Sequence, residues 1–302
     1  MSNVFQNVDK MWFGTKEHMQ WIDTPLTGAN VSTSGNVANV DLINGGAHVR
    51  NSFDSNKNYN FTWGSSVDRR MSSIIRAYRN GSYGRGLIYF IDPMYYETNI
   101  LPQRWADPSM SLNYEAPGIA GQSHQPSITY TQNNNNGLPV NSVSYTFKPN
   151  ESYDGLKSGD SIWIPVPPGA ELIIWAHYSS IGGASIKVRE GGVADQTYDL
   201  IETPADETSP TPLVIDGGDD GSYAEMYIST NKATVQSVIT VSAMTARIRW
   251  PGLGEITEPY WYTGEGHSGC KFVGSPTVYN NSGIGGGQVS LSCELKEVGS
   301  WV

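Results

Sequence analysis

At 302 residues the chain is long enough for two domains of ordinary size, each with its own core. Hydrophobic residues at 38%, with 33 Gly, 17 Pro and 17 Tyr, favour short strands joined by turns over long helices. Apolar runs such as residues 87–91 are far too short to span a bilayer. Residues 1–14 lack the basic start and apolar core of a secretory signal, so folding in the cytoplasm is expected.

The formal charge of −10 is unevenly placed. Residues 1–113 carry 10 basic and 9 acidic side chains, residues 114–256 carry 7 and 16, and residues 257–302 carry 2 and 4. The acidic middle is a compositional boundary and argues against nucleic-acid binding there.

Along the chain, Met11-Trp12-Phe13-Gly14 and Met19-Gln20-Trp21-Ile22 read as strands, and Gly45-Gly46 as a turn. Asn58-Tyr59-Asn60-Phe61-Thr62-Trp63 alternates polar with aromatic, the period of a half-buried strand. One helix follows. Ser65 or Ser66 is its expected N-cap, Asp68 lies in the first turn, and Met71, Ile74, Ile75 and Tyr78 fall at helical spacing. Arg76 and Arg79 end it before Asn80-Gly81. Residues 86–91 predict a fully buried strand, stopped by Asp92-Pro93.

Residues 113–150, with four consecutive Asn (133–136), read as a linker or exposed loops without a core element. A dense series of strands is expected next, over 161–166, 171–178, 184–190, 222–229 and 234–250. Turns such as Pro167-Pro168-Gly169 and residues 216–220 separate them, which indicates a sandwich or jelly roll. Residues 289–295 alternate cleanly, and the segment from 257 returns to the near-neutral, aromatic style of the first block. The expected architecture is one discontinuous domain, 1–113 plus 257–302, carrying an inserted sandwich at 114–256.

Several motifs carry chemistry in other settings. Gly264-Glu265-Gly266-His267-Ser268-Gly269 has the letters of a dinucleotide fingerprint, but an extended segment and a proline follow where a helix is needed. Ser268 beside His267 does not form a nucleophile elbow, because Cys270 stands where the second Gly should be. His18, His48, His124, His177 and His267 lack metal-ligand spacing, and the acidic loop 216–220 lacks the EF-hand order, so no metal site is expected. No carboxylate pair stands out for glycoside hydrolysis, although Glu225 and Asp219 are the positions to test. Trp175, His177 and Tyr178 sit together on one strand, as a glycan-stacking platform or as sandwich core. Cys270 and Cys293 flank an expected hairpin, where a cross-strand disulfide is one reading and two reduced thiols of a cytoplasmically folded protein the other and favoured one.

The flanking segments resemble the minor tail proteins of phages infecting actinobacteria, in particular distal tail proteins. Met11-Trp12-Phe13-Gly14, residues 86–93, Asn99-Ile100-Leu101-Pro102, Trp105-Ala106, residues 264–269 and residues 289–301 carry the likeness. Residues 161–169 look like the accessory β-sandwich inserted in such proteins. The resemblance implies a mainly β protein: a β-sandwich belt domain with one α-helix, carrying a jelly-roll or galectin-like insert. It further implies a non-enzymatic virion component without cofactors, forming a homo-hexameric ring at the tail tip. Its partners would be the tail tube, the tail-tip hub and tape-measure proteins and, through the insert, host cell-wall glycan. Nucleic-acid binding and membrane insertion are not expected.

Overall fold

Alternating apolar residues and closely spaced turns give this chain strands before anything else. The computed structural model describes residues 10–25, 30–33, 37–41, 47–51, 57–92, 98–106, 127–132, 138, 141–150, 152–158, 161–191, 196–203, 210–231, 235–252, 254–261, 264–280 and 288–298. The first elements are β1 (Lys10–Thr15), β2 (His18–Asp23), β3 (Asn30–Thr33), β4 (Val37–Asp41), β5 (Ala47–Asn51), β6 (Lys57–Asp68), α1 (Arg69–Arg79) and β7 (Tyr89–Ile91). There follow α2 (Gln103–Ala106), β8 (Ser127–Gln132), β9 (Asn141–Phe147), β10 (Tyr153–Asp154), α3 (Gly155–Ser158), β11 (Ser161–Val166) and β12 (Glu171–Ile181). The remainder are β13 (Ala184–Glu190), β14 (Thr197–Asp199), β15 (Leu213–Asp216), β16 (Ser222–Thr230), β17 (Ser237–Arg249), β18 (Cys270–Phe272), β19 (Thr277–Asn280) and β20 (Gln288–Glu297). The protein is mainly β, with antiparallel sheets throughout.

Two compact units divide the chain. The flanking unit is Asn7–Asp92 with His267–Val302, and the insert unit is Pro93–Gly266 with Met1–Gln6. This division falls at 92/93 and 266/267, so the segments 93–113 and 257–266 group with the insert.

In the flanking unit one sheet runs β2-β1-β7 and another runs β18-β20-β6-β3, with β19 also on β20. Ile88 and Cys270 exchange both backbone hydrogen bonds at 2.8 Å, which carries the first sheet into the second. The core is aromatic: Phe13, Tyr59, Phe61, Trp63 and Phe90 close over Met71, Ile75 and Tyr78 of α1. Phe90 meets Tyr59 and Phe61 edge to face, with centroids 5.0 and 5.2 Å away. That geometry sets the positive ring edge against the negative face. Beyond Arg79 the chain reverses at Gly81, whose φ of 77° suits glycine.

The insert unit has two five-stranded antiparallel sheets, β15-β12-β17-β9-β8 and β10-β16-β13-β14 with β11 also on β16. Ala184, Ile186 and Val188 alternate inward along β13, with Met226 and Ile228 beside them on β16. From the other sheet Tyr178 reaches this layer, its hydroxyl donating to Leu200 O, while Leu200 N donates to Ile186 O. Leu172–Tyr178 is buried at every position, so β12 is covered on both faces.

Three sequence expectations change. Residues 113–150 contain a core strand: β9 buries Val143, Tyr145 and Phe147 and pairs with β17. The helix starts at Arg69, because Ser65, Ser66 and Asp68 belong to β6, where Val67 and Asp68 pair with Val289 and Gln288. The strand expected over 86–91 is reduced to β7, with Ile88 as a single bridge. Gly45-Gly46 and Asn133–136 lie outside the described residues.

Candidate functional site

A concavity lies in the flanking unit at the end of α1, a groove of about 490 Å³. The last turn of α1 supplies Tyr78 and Arg79, the reversal at 80–86 supplies Arg85, and β18 supplies Lys271 and Phe272. Glycines 81, 84 and 86 leave the groove open. Arg79, Arg85 and Lys271 are exposed, and among the described residues none of them is in an ion pair. Arg79 donates from Nε to the Gly274 carbonyl at 3.2 Å, a neutral partner. Glu17 stands behind Gly84 and Gly86 as the nearby carboxylate.

The groove's floor is fixed by Tyr78. Its hydroxyl accepts from Gln20 Nε2 (3.0 Å) and lies 3.3 Å from the Phe13 carbonyl, to which it donates. Burial pushes this phenol up to about 12, Gln20 opposing and Tyr83 adding, so it stays a donor. His18 stacks on Tyr83 with centroids 4.5 Å apart. The sequence signal for this site was the density of arginine over 69–85, five in a chain of net −10. Lys271 joins through the Ile88–Cys270 bridge, which sets β18 beside the chain that leaves the 80–86 reversal.

The residues singled out in the sequence do not gather into a reactive centre. Trp175, His177 and Tyr178 are 1%, 6% and 2% exposed, so no ring face is open to a sugar. Tyr178 belongs to the inter-sheet core. His177 meets Trp261 edge-on, with centroids 6.4 Å apart. Glu225 is held by Arg189 through Nε (3.1 Å) and NH2, whereas Asp219 lies exposed in the turn after β15. Among the described residues no group of three His, Cys, Asp or Glu is placed to hold a metal. The side chains of His48 and His124 lie outside the described residues.

His267 and Ser268 turn apart. His267 Nδ1 accepts the Gly269 N–H at 3.2 Å, and the ring packs 4.2 Å from Phe90. Burial, with Lys57 nearby, pushes this imidazole down to about 3 against a bond to the Phe90 backbone, so it is neutral at ordinary pH. Ser268 instead donates from Oγ to Glu297 (3.1 Å), which also accepts its N–H at 2.8 Å. Cys270 and Cys293 are free, buried thiols. Burial raises Cys293 to about 12 and raises Cys270 strongly, with Glu297 adding to the latter, so neither is a nucleophile near neutral pH.

The glycines of the 264–269 motif serve packing. A Cβ on Gly264 would stand 2.0 Å from the Leu101 carbonyl oxygen, and one on Gly266 1.6 Å from that of Ile100. These contacts belong to a latch on β17. Asn99 Nδ2 donates to Met244 O (3.0 Å), its Oδ1 accepts from Ala246 N (3.1 Å), and Ile100 N donates to Ala246 O (2.9 Å). The buried side-chain amide thus stands in for a strand's peptide group. Glu265 N and Gly266 N then donate to Asn99 O and Leu101 O, so both chain segments leading to the insert are tied to one strand edge.

No family model matches the chain, and no curated protein matches it. It is similar to a chain from the crystal structure of accessory secretory protein 1, 2 and 3 in Streptococcus pneumoniae, at 14% identity and a TM-score of 0.27. That match covers 43% of this chain and 94% of the other. It is also similar to a chain from the structure of the infectious bursal disease virus Gt strain, at 11% identity and a TM-score of 0.24. Here 95% of this chain and 74% of the other are covered. Likenesses this low carry no argument about function.

Proposed function

We propose that this chain is a non-enzymatic structural protein of a phage virion, forming a homo-hexameric ring at the distal end of the tail. In that role it joins the tail tube to the tip hub and the tape-measure protein. The observation that carries the reading is where three of the resemblance-bearing segments lie, while 99–102, 105–106 and 264–266 group with the insert unit. Met11-Trp12-Phe13-Gly14 in β1, the stretch ending in β7 and the alternating strand β20 come from both ends of the chain, yet they build one β unit around one helix. A belt carrying an insert needs that layout.

The absence of chemistry is part of the proposal. Its support is that Ser268 and His267 bond to different partners and that Glu225 is engaged by Arg189. Negative-stain microscopy of the purified full chain, alone and with a tail-tube protein, tests the ring. Closed rings of about six subunits, stacking on the tube, are expected. Single particles under both conditions contradict it.

The second reading, glycan binding by the insert, rests on that unit's separate, acidic character. Trp175, His177 and Tyr178 do not carry it, being buried. Calorimetric titration of the full chain with cell-wall polysaccharide decides it: heat of binding supports this reading, and none removes it.

A further inference from the structure

Among the described residues, Arg79, Arg85 and Lys271 share one concavity without an ion pair, and Glu17 stands behind its glycines. Like charges held in one concavity repel one another, and an incoming group of carboxylates relieves that repulsion. Tyr78 and Phe272 give the same hollow an apolar floor.

The complement is present in the chain itself. The insert unit holds 8 basic against 20 acidic residues, net −12, while the flanking unit holds 11 against 9, net +2. Asp216, Asp219 and Asp220 are exposed in one five-residue turn, and residues 210–231 contain no Lys or Arg. Asp216 Oδ1 accepts the Gly218 N–H at 2.9 Å, which fixes the turn in shape.

We propose that the groove is a contact between copies: Arg79, Arg85 and Lys271 of one protomer receive the acidic turn 216–220 of a second. The contact joins two different patches, so it is head-to-tail, the type that generates rings when its rotation closes. The inference rests on the ring reading above and names the surfaces that would make it.

Full-length chain labelled with heavy nitrogen, mixed with unlabelled chain and treated with a zero-length carbodiimide, tests it directly. Lys271 should be joined to Asp216, Asp219 or Asp220 in peptides pairing heavy with light chains. R79E/R85E/K271E and D216K/D219K/D220K should each weaken self-association about tenfold or more, and mixing the two variants should restore it. Raising salt to about 0.5 M should weaken the unmodified protein in the same direction, without any question of variant folding. Self-association untouched by salt and by both reversals overturns this contact and leaves the ring reading standing. A chain that stays monomeric at every concentration, alone and with tube protein, overturns the ring reading and this contact with it.

Discussion

The two units solve the same packing problem with different side chains. The flanking unit closes sheets over a helix, and its core is built from Phe13, Tyr59, Phe61, Trp63, Tyr78 and Phe90. The insert unit packs sheet against sheet with Ile174, Ile186, Val188, Met226 and Ile228 beside the buried rings of Tyr145, Trp175 and Tyr178. Charge is handled differently as well. The insert pairs its scarce cations, with Arg249–Glu171 at 2.5 Å, Lys187–Asp199 at 3.2 Å, Lys157–Asp154 at 3.3 Å and Arg189–Glu225. Arg247 lies over the Tyr260 ring at 4.5 Å. In the flanking unit, which has more cations than carboxylates, Arg79, Arg85 and Lys271 line one groove without an ion pair among the described residues.

Substitutions can sharpen or break that comparison. The largest effect is expected from Trp63→Ala, which empties the middle of the aromatic core and removes the Nε1 bond to the Asp23 carbonyl. A loss of about 4 kcal/mol is expected by urea denaturation. Hydrogen exchange should rise in the flanking strands first, and an equal rise in both units would break the distinction between them. Gly266→Val should cost the insert unit about 3 kcal/mol, because its Cβ meets the Ile100 carbonyl and the backbone must shift. Asn99→Ala comes next, at about 2 kcal/mol, since it strips the Met244 carbonyl and the Ala246 N–H of their buried partners. Faster exchange at Ala246 than at the far end of β17 would locate the loss at the latch.

The effect that is smallest near neutral pH, and grows on acidification, is a pH dependence of the flanking unit. His267 is held down to about 3 in the folded state, below its usual 6.5. Between those values the unfolded chain binds a proton that the folded chain does not, so stability falls as pH drops from about 6.5 toward 3. His267→Gln should flatten this part of the denaturation profile relative to the unmodified chain. An identical acid slope in both would contradict a neutral, buried imidazole.

Much of the fold is written in local pattern. The alternation of Val289, Leu291, Cys293 and Leu295 marks β20, and the unbroken apolar run 172–176 marks β12. β9 was hidden by its neighbourhood: Val143, Tyr145 and Phe147 alternate, but the adjacent asparagines make the region look like solvent-exposed chain. The helix start was misplaced because Ser65, Ser66 and Asp68 have capping chemistry, while pairing with β20 holds the chain extended as far as Asp68. Composition alone could not decide whether Trp175, His177 and Tyr178 face solvent, since that depends on how both faces of β12 are covered. The groove was half legible. Its arginines are near neighbours in sequence, but Lys271 is brought beside them by the Ile88–Cys270 bridge across most of the chain. The latch was not legible, because an asparagine acts as a strand mimic only where β17 offers an open edge.

The measurement that tests the account most directly is the mass of the full-length protein in solution, by light scattering across concentration and ionic strength. A discrete oligomer of about six chains at low salt, dissociating as salt rises, is the expected result. A monomer across the whole range, with tail-tube protein present or absent, would contradict it.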